Sequence, residues 1–444
     1  MHRPPSLPLW PLQLMFGLMP VWWAAGGLYL FWPVLALVLL VVLLTHGRVV
    51  TPMGVTAWLV LLAIMAVSGT RVERPTALLM YGLRFGFVAA ALVVYLYVYN
   101  AARYGAAWER LFRPLCFFWL GMVVLGWIGV FAPRFAITTP VEMLLPDSIA
   151  GDRGMQALVH SHATEFNAQG RNPYFRTAAP YAYTNNWGTG FAVLVPCVIA
   201  YLTSVRAGWL RTVLIVSLPV ALVPAFLTLN RGMFIGLGAG LLYLGVRALL
   251  RGDVRLIASI GAVAVLTWLV TLVIPVTDLI THRVENTDST SDRADLYAQT
   301  VAAVLRSPLL GYGAPRFADT THASEPLGTQ GQLWLIMYSH GIPALLLFVA
   351  FFAVLAWRLS AAVSTPGRWL SAVPVIALVI TPFYGYTDPN LSVMFFAIGL
   401  AMAAIDGPVN REPPVGGDAI TGGRNDTAAR SAERARSPDR RLIS

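Results

Sequence analysis

The sequence contains no lysine and few charged residues of any kind. All 31 basic residues are arginines, only 12% of the 444 residues are charged, and 57% are apolar. An ordinary globular protein has about 25% charged and about 45–50% apolar residues. A soluble domain could not bury this much hydrocarbon, so the composition excludes a soluble protein.

Cysteine is almost absent as well, and no internal repeat is visible. The two cysteines, Cys116 and Cys197, lie in apolar runs and do not have the spacing of metal ligands. The sequence therefore predicts neither a disulfide nor a zinc site, and we expect no metal and no cofactor. The lack of a repeat argues against a transporter built from two inverted halves.

Long apolar runs are what the sequence has in abundance. Each is roughly 16 to 25 residues long and almost uncharged, the length that crosses about 30 Å of hydrocarbon. We therefore predict an all-α, polytopic membrane bundle of about twelve transmembrane helices. The predicted spans cover residues 9–25, 29–45, 52–69, 76–98, 115–133, 187–204, 210–229, 232–250, 256–275, 332–357, 369–386 and 389–405.

The positions of the arginines predict how this bundle is oriented. With the N-terminus in the cytoplasm, the arginine-rich short loops fall on the cytoplasmic side, as the positive-inside rule requires. We therefore expect a multi-pass protein of the plasma (inner) membrane. An even number of spans places both of its termini in the cytoplasm. The two long hydrophilic connections, at about 134–186 and 276–331, become outer loops. The net charge of +10 thus reflects contact with a lipid bilayer and indicates no nucleic-acid partner.

Two regions of different composition define the domain organisation. Residues 1–406 hold all predicted spans and form a transmembrane catalytic domain. Residues 407–444 are rich in Gly, Pro, Arg and Asp and have almost no large apolar side chains. Such a segment cannot bury enough surface to offset the entropy of ordering, so we predict a disordered cytoplasmic tail.

Two arginines at the outer face are the main candidates for binding an anion. Arg231 follows Asn230 in a two-residue connection between two predicted spans. Its planar, permanently charged guanidinium could clamp a diphosphate at the membrane surface, or it could simply reach lipid phosphates. Arg293 stands at the head of a predicted helix in the second outer loop, where its acidic neighbours offer a local ion pair as the alternative.

Arg84 is a further candidate because it lies inside a predicted span. It stands eight residues into the span 76–98, about 12 Å below the outer end. Exposure of its charge to lipid would cost about 2.5–3.5 kcal/mol even on a mild insertion scale. We therefore expect Arg84 to face the bundle interior, with either a structural role or a role in binding the donor.

The outer loops supply candidate sugar-binding residues, because aromatic rings and amides suit sugars. Those of the first loop are Arg171, Arg176, Tyr183, Asn185 and Trp187. The aromatic residues could instead form an interfacial belt, and His160-x-His162 with Glu165 is too loosely spaced to predict a metal site.

The second outer loop leads into a predicted span through polar residues. Gln330 and Gln332 stand at the entrance of that span and are candidates for the acceptor site. His340 lies eight residues into the span and is expected to be a packed, hydrogen-bonded residue. Spacing alone does not choose a base among Asp319, His322 and Glu325 of the loop.

These segments resemble the O-antigen ligase and polymerase superfamily of bacterial membrane glycosyltransferases. Residues 227–232 (LTLNRG) are similar to the family's span-end arginine element. Arg293 with residues 307–313 (SPLLGYG) is similar to its second-loop helix and turn, and residues 341–345 (GIPAL) to its glycine-led helix start. The resemblance implies an enzyme that takes a glycan from a polyprenyl diphosphate, of which undecaprenyl diphosphate is the bacterial form.

The resemblance also implies roles for individual residues. Arg231 and Arg293 correspond to the two arginines that bind the donor diphosphate. The family's histidine, which activates the acceptor hydroxyl, falls on Gln330, and glutamine cannot take up a proton. Either another group does so, or Gln330 orients the acceptor while departure of the diphosphate drives the reaction.

The same resemblance limits which acceptors are expected. Residues 328–334 and 183–188 are similar to a branch of the family common in high-GC Gram-positive bacteria, which lack lipopolysaccharide. We therefore expect a metal-independent, inverting transfer to a surface polysaccharide or another cell-envelope acceptor other than lipid A. The alternatives are a transporter or flippase of lipid-linked glycans and, less informatively, a structural membrane partner.

Overall fold

The computed structural model describes residues 6–73, 75–146, 149, 151–167, 174–273, 289–317 and 326–408. Within these ranges, only the backbone is described for residues 75, 76, 153, 167, 266–273 and 289–293. The predicted tail beyond residue 408 therefore lies outside the described residues. So do Arg171, Asp319, His322 and Glu325, and Arg293 is placed by its backbone alone.

The described part of the chain is mainly helical. A short π-helix, Gln13–Gly17, follows the first helical turn. The α-helices are α1 (Trp10–Leu12), α2 (Met19–Ala25), α3 (Phe31–Thr45), α4 (Val55–Gly69), α5 (Pro75–Arg103), α6 (Trp108–Phe131), α7 (Pro140–Leu144), α8 (Arg153–Val159), α9 (Thr184–Ser204), α10 (Trp209–Leu227), α11 (Arg231–Arg251), α12 (Val254–Val273), α13 (Ser289–Arg306), α14 (Gln332–Leu359), α15 (Thr365–Leu370), α16 (Ala372–Ile380) and α17 (Pro389–Asp406).

Seven helices in the described ranges are long and apolar enough to cross a membrane, so the chain is a multi-pass membrane protein. They are α5 from Ala77 onwards, α6, α9, α10, α11, α14 and α17. Shorter apolar helices include α3 and α4. The predicted count of twelve spans stays a prediction.

Helices α9 and α17 form the centre of the bundle. Both are buried almost all round, which is expected of helices whose every face is apolar or small. Helix α17 packs along α5, and α9 packs against α6, α11 and α17. The outer helices leave large apolar side chains exposed, such as Leu37 and Val41 of α3 and Leu346 of α14. These exposed side chains are the surface that lipid would cover.

The connection predicted as a loop at 134–186 also contains short strands. Strand β1 (Ala136–Ile137) pairs antiparallel with β2 (Ser161–His162). Strand β3 (Thr164–Asn167) pairs antiparallel with β4 (Tyr174–Thr177), with Glu165 opposite Arg176. The predicted all-α class thus holds for the bundle, while two small hairpins are added in this connection.

Helix α14 breaks at Gly341, and a turn from the preceding loop fills the break. Gly341 has φ +85° and is followed closely by Pro343, which lacks a backbone N–H. The turn at residues 307–313 supplies the missing partners: Tyr312 N–H donates to Tyr338 O at 3.0 Å, and Ile342 N–H donates to Pro308 O at 2.7 Å. Two of the three segments that carry the family resemblance, 307–313 and 341–345, therefore pack directly against each other.

Candidate active site

Helices α9 and α11 begin side by side. Asn230, which precedes α11, caps that helix by accepting a hydrogen bond from Met233 N–H at 3.0 Å. Its amide nitrogen lies 3.5 Å from Thr184 O and 3.4 Å from Asn185 O in the first turn of α9. The Asn230 side chain is fully buried, so it joins the two helix starts rigidly.

Tyr384 joins the start of α11 to the start of α14. Its hydroxyl accepts a hydrogen bond from Gly232 N–H at 3.0 Å, and its carbonyl oxygen accepts one from Gln332 N–H at 3.0 Å. Gly232 admits the ring because a Cβ there would lie 2.1 Å from it. Tyr384 therefore links Gly232, which follows Arg231, to Gln332, which stands two residues after Gln330.

The start of α17 is tied to α9 by a buried carboxylate. Asp388 is 3% exposed and caps α17 through Asn390 N–H at 2.7 Å. It also accepts hydrogen bonds from the amides of Asn186 and Asn390. Burial raises the pKa of Asp388 to about 7, although these three donors oppose the shift.

Four helices, α9, α11, α14 and α17, therefore begin at one end of the bundle. We call this end the site end. The first N–H groups of a helix carry partial positive charge, so converging helix starts favour an anion. The basic opposite end holds Arg247 and Arg251, which donate to the carbonyls of Ser360 and Ala362 between α14 and α15.

Arg231 is exposed at the site end as the first residue of α11. The turn before it is strained, because Leu229 has φ +51° without being glycine. Strained backbone of this kind is concentrated at functional sites. Among the described residues the Arg231 guanidinium has no hydrogen-bond or ion-pair partner, so it is available to a ligand.

Arg84 is half-buried and lies in the first part of α5 (Pro75–Arg103). Within the described ranges its guanidinium makes no hydrogen bond, but it lies in electrostatic range of Tyr183 and His340. Desolvation and the carboxylate of Glu165 raise the pKa of Tyr183, while the Arg84 charge lowers it. Arg84 therefore faces the protein interior, as expected, below the start of α9.

Arg176 lies behind the turn that carries Arg231. Its side chain is 6% exposed on β4, and its Nε donates to Thr228 O at 2.8 Å. The opposite strand presents Glu165, whose carboxylate accepts a hydrogen bond from Thr184 N–H at 2.9 Å. Arg176 also reaches Asn185 Oδ1 at 3.5 Å. It supports the two helix starts from within the protein.

Helix α13, which carries Arg293, packs against α14. Tyr297 stacks on Trp334, with ring centroids 4.3 Å apart. Arg293 stands four residues before Tyr297, one helical turn further along α13. The contact with α14 therefore lies one helical turn from Arg293, whose side chain is outside the described residues.

Gln330 and Gln332 differ in what they touch. Gln330 is 7% exposed, and its amide nitrogen donates to Pro326 O and Thr329 Oγ1. Its Oε1 is buried without a hydrogen-bond partner in the described chain. Gln332 Oε1 accepts from Tyr386 N–H at 2.9 Å, so Gln332 fixes the loop before α17.

The remaining predicted residues of the first loop are placed as follows. Tyr183 is exposed at the start of α9, and Asn185 is half-buried. Trp187 is fully buried and stacked on Phe191, with centroids 5.6 Å apart. Its ring belongs to the core beneath the site in this structure and does not reach the surface where a sugar would bind.

The described histidines His160, His162 and His340 are engaged by protein groups. His160 pairs with Glu142 at 2.9 Å, and His162 contacts the carbonyl oxygens of His160 and Ala182. Among the described residues, no group of His, Cys, Asp and Glu could hold a metal ion. His340 is buried and hydrogen-bonded to Ser68 at 2.6 Å, which confirms the packed, hydrogen-bonded position expected for it.

Comparison with models of known families matches residues 217–349 to O-antigen ligase. This match, over about a third of the chain, supports membership in the O-antigen ligase and polymerase superfamily. The matched O-antigen ligase domain begins in α10 and ends in α14, and therefore holds Arg231, Arg293 and Gln330. Membership in this superfamily indicates a membrane glycosyltransferase of the ligase or polymerase type. No curated protein and no solved structure matches the chain.

Sequence reasoning missed the residues that lie beyond the O-antigen ligase domain. Asp388, Asn390 and Tyr384 stand in or next to the segment between α16 and α17, part of which was predicted to continue a span. The available signal was the acid–proline pair Asp388-Pro389 before an apolar run, which is typical of a helix start.

Proposed function

We propose that this chain is a metal-independent, inverting glycosyltransferase that works at the outer leaflet of the plasma membrane. It takes a glycan from a polyprenyl diphosphate and transfers it to a hydroxyl group of a surface polysaccharide or other cell-envelope acceptor. The observation that carries this proposal is Arg231, whose guanidinium has no partner among the described residues and which a strained turn presents where four helices begin.

The diphosphate is the part of the donor that this site suits best. Arg231 and Arg293 bind its oxygens, because a planar guanidinium offers paired donors to phosphate. Arg84 adds positive charge from below, and the starts of α9 and α11 supply partial charges. These fixed charges stabilise the diphosphate as it leaves, the electrostatic task that a metal ion performs in other transferases.

The exposed side of the site end receives the sugars. Tyr183 and Asn185 border the start of α9 and offer an aromatic face and an amide to the glycan, while Gln330 at the entrance of α14 orients the acceptor. The polyprenyl chain lies between the apolar outer faces of neighbouring helices. In the described spans, Arg84 is the one charged side chain far from a helix end. Charged groups therefore do not form a path through the membrane, and this favours transfer over transport.

Replacement of Arg231 tests this proposal directly. With purified protein, polyprenyl-diphosphate glycan and acceptor, we expect Arg231→Ala to lower kcat/KM by about 10- to 150-fold, since a hydrogen bond to a charged group contributes about 1.5–3 kcal/mol. Arg231→Lys recovers only part of this loss, because it keeps the charge but not the paired donors. Glycan transfer and the release of free polyprenyl diphosphate are both measured, and a carrier would release none.

Arg255→Ala provides the matched control. Arg255 is an exposed arginine without a hydrogen-bond partner in the described chain, and it lies at the opposite end near the start of α12. Its replacement removes the same charge far from the site and should leave transfer unchanged. Equal activity of wild type, Arg231→Ala and Arg231→Lys would remove the basis of the proposal.

A further inference from the structure

His340 lies at the site end although it is the ninth residue of α14. Its side chain is 4% exposed, and its Nδ1 lies 2.6 Å from Ser68 Oγ. Ser68 stands one residue before the end of α4, so His340 is level with the end of that shorter helix. The break at Gly341 follows immediately. His340 therefore lies near the end of α4 and in electrostatic range of Arg84, one of the candidate site residues.

The hydrogen bonds of Ser68 determine which nitrogen of His340 carries the proton. Ser68 Oγ lies 2.8 Å from Met65 O, and a carbonyl oxygen can only accept. The single hydroxyl proton of Ser68 is therefore used on Met65, and Ser68 Oγ must accept from His340. Nδ1 of neutral His340 then carries the proton, and Nε2 keeps a lone pair.

The groups that face His340 leave Nε2 available. Nε2 has no hydrogen-bond partner among the residues that the structure describes. Around the ring lie Ser68 from α4 and Tyr81 from α5, whose ring centroid is 6.3 Å away. Arg84, also from α5, lies in electrostatic range of the imidazole. A cation that the proposed function assigns to the donor diphosphate therefore acts on the imidazole.

We propose that His340 is the proton acceptor of the transfer reaction, with Nε2 as the accepting atom and Ser68 as the group that fixes its tautomer. The inference rests on the proposed function and deepens it. It answers the question raised by Gln330, which cannot take up a proton.

The proposed step is balanced by the donor diphosphate. The acceptor oxygen forms a bond to the anomeric carbon while its proton moves to His340 Nε2. The bond from the anomeric carbon to the diphosphate oxygen breaks, and its electron pair leaves with the polyprenyl diphosphate. The diphosphate offsets the Arg84 charge and thereby stabilises the new imidazolium. Proton release to water then restores neutral His340.

Two substitutions separate this role from a structural one. His340→Asn keeps an amide nitrogen near the position of Nδ1 and so keeps the contact with Ser68, while His340→Gln reaches the position of Nε2. Neither amide accepts a proton. We expect both variants to lower kcat by about 100-fold or more, the usual contribution of a general base. The affinity for the polyprenyl-diphosphate glycan, measured separately, should stay near that of wild type.

The outcome that overturns the inference is activity without the base. If either variant transfers glycan with kcat within about tenfold of wild type, below the usual contribution of a general base, His340 is not the proton acceptor. Arg231→Ala keeps the two proposals apart. Loss of donor binding in Arg231→Ala together with full activity of His340→Asn refutes the role of His340 alone. An unaffected Arg231→Ala refutes the proposed function itself.

Discussion

At the residue scale, the side chains that lack a partner are as informative as those that have one. Arg231 and Arg84 make no hydrogen bond within the described chain, whereas Arg176 is buried against Thr228 O. The sequence made all three candidate site residues: Arg231 for the diphosphate, Arg84 for the donor or for structure, and Arg176 for the sugar. Burial and hydrogen bonding separate them, and neither can be predicted from residue type and spacing.

Asp388 leads to a prediction about stability. Its pKa is raised to about 7 in the folded protein, above the value of about 3.9 for an unperturbed Asp. The folded state therefore holds this proton more tightly than the unfolded state. Stability should fall as the pH rises from about 4 to about 7 and then level off. We expect Asp388→Asn, which is neutral at every pH, to abolish most of this decline.

Thermal unfolding of the purified protein in detergent between pH 5 and pH 8 measures this effect. A wild-type fall in Tm of roughly 5 °C corresponds to a few kcal/mol in a protein of this size. Glu73→Gln is the control, since Glu73 is an exposed carboxylate at the same end of the bundle. A wild-type slope that persists in Asp388→Asn would show that another group titrates.

At the element scale, the apolar runs predict most helices and miss how they end. The predicted spans 187–204, 210–229 and 232–250 correspond closely to α9, α10 and α11. The predicted span 369–386 instead becomes α15, α16 and a hydrogen-bonded loop. Hydropathy could not separate the helices from the loop, because the loop also contains apolar residues such as the buried Tyr386. Its fold depends on distant partners such as Gln332.

The break in α14 leads to a prediction about glycine. Gly341 combines φ +85° with a position where a Cβ would lie 2.4 Å from Leu309 O. We expect Gly341→Ala to destabilise the protein by about 2 kcal/mol or more, since the positive φ alone costs about 1–3 kcal/mol. The lost stability would be measured as a lower Tm in detergent.

Gly238→Ala is the matched control for this substitution. Gly238 lies in the middle of α11, and a Cβ there would have open space around it. Alanine is a better helix former than glycine by about 0.5–1 kcal/mol, so the control should be neutral or slightly stabilising. Similar Tm values for the two variants would mean that the turn at residues 307–313 does not fill the break as described.

At the scale of the whole molecule, the two ends of the bundle differ in what they offer. One end gathers four helix starts and two arginines that have no hydrogen-bond partner in the described ranges, while the other holds arginines that cap the end of α14. The distribution of arginine predicts which end faces the cytoplasm. It could not predict that the four helix starts lie in contact, because contact depends on the buried amides and on Tyr384.

Cysteine labelling in intact cells tests the orientation. Cys116 and Cys197 are both buried, so the wild-type background should be low. We expect Thr329→Cys, exposed at the site end, to react with a membrane-impermeant maleimide in intact cells. Val363→Cys, 78% exposed at the opposite end, should react only after the membrane is opened. The reverse pattern would place the proposed site in the cytoplasm and contradict the outer-leaflet reaction.

The guanidinium groups of Arg84 and Arg231, which make no hydrogen bond to the described residues, have a consequence for thermal stability. Positive charge near helix starts is unfavourable, and within the described chain no carboxylate pairs with either arginine. An anionic lipid headgroup would offset this positive charge on arrival. Binding of such an anion should therefore raise the Tm by mass action. A diphosphate mimic that fits the site would be detected as a higher Tm in a melting assay, without any glycan transfer.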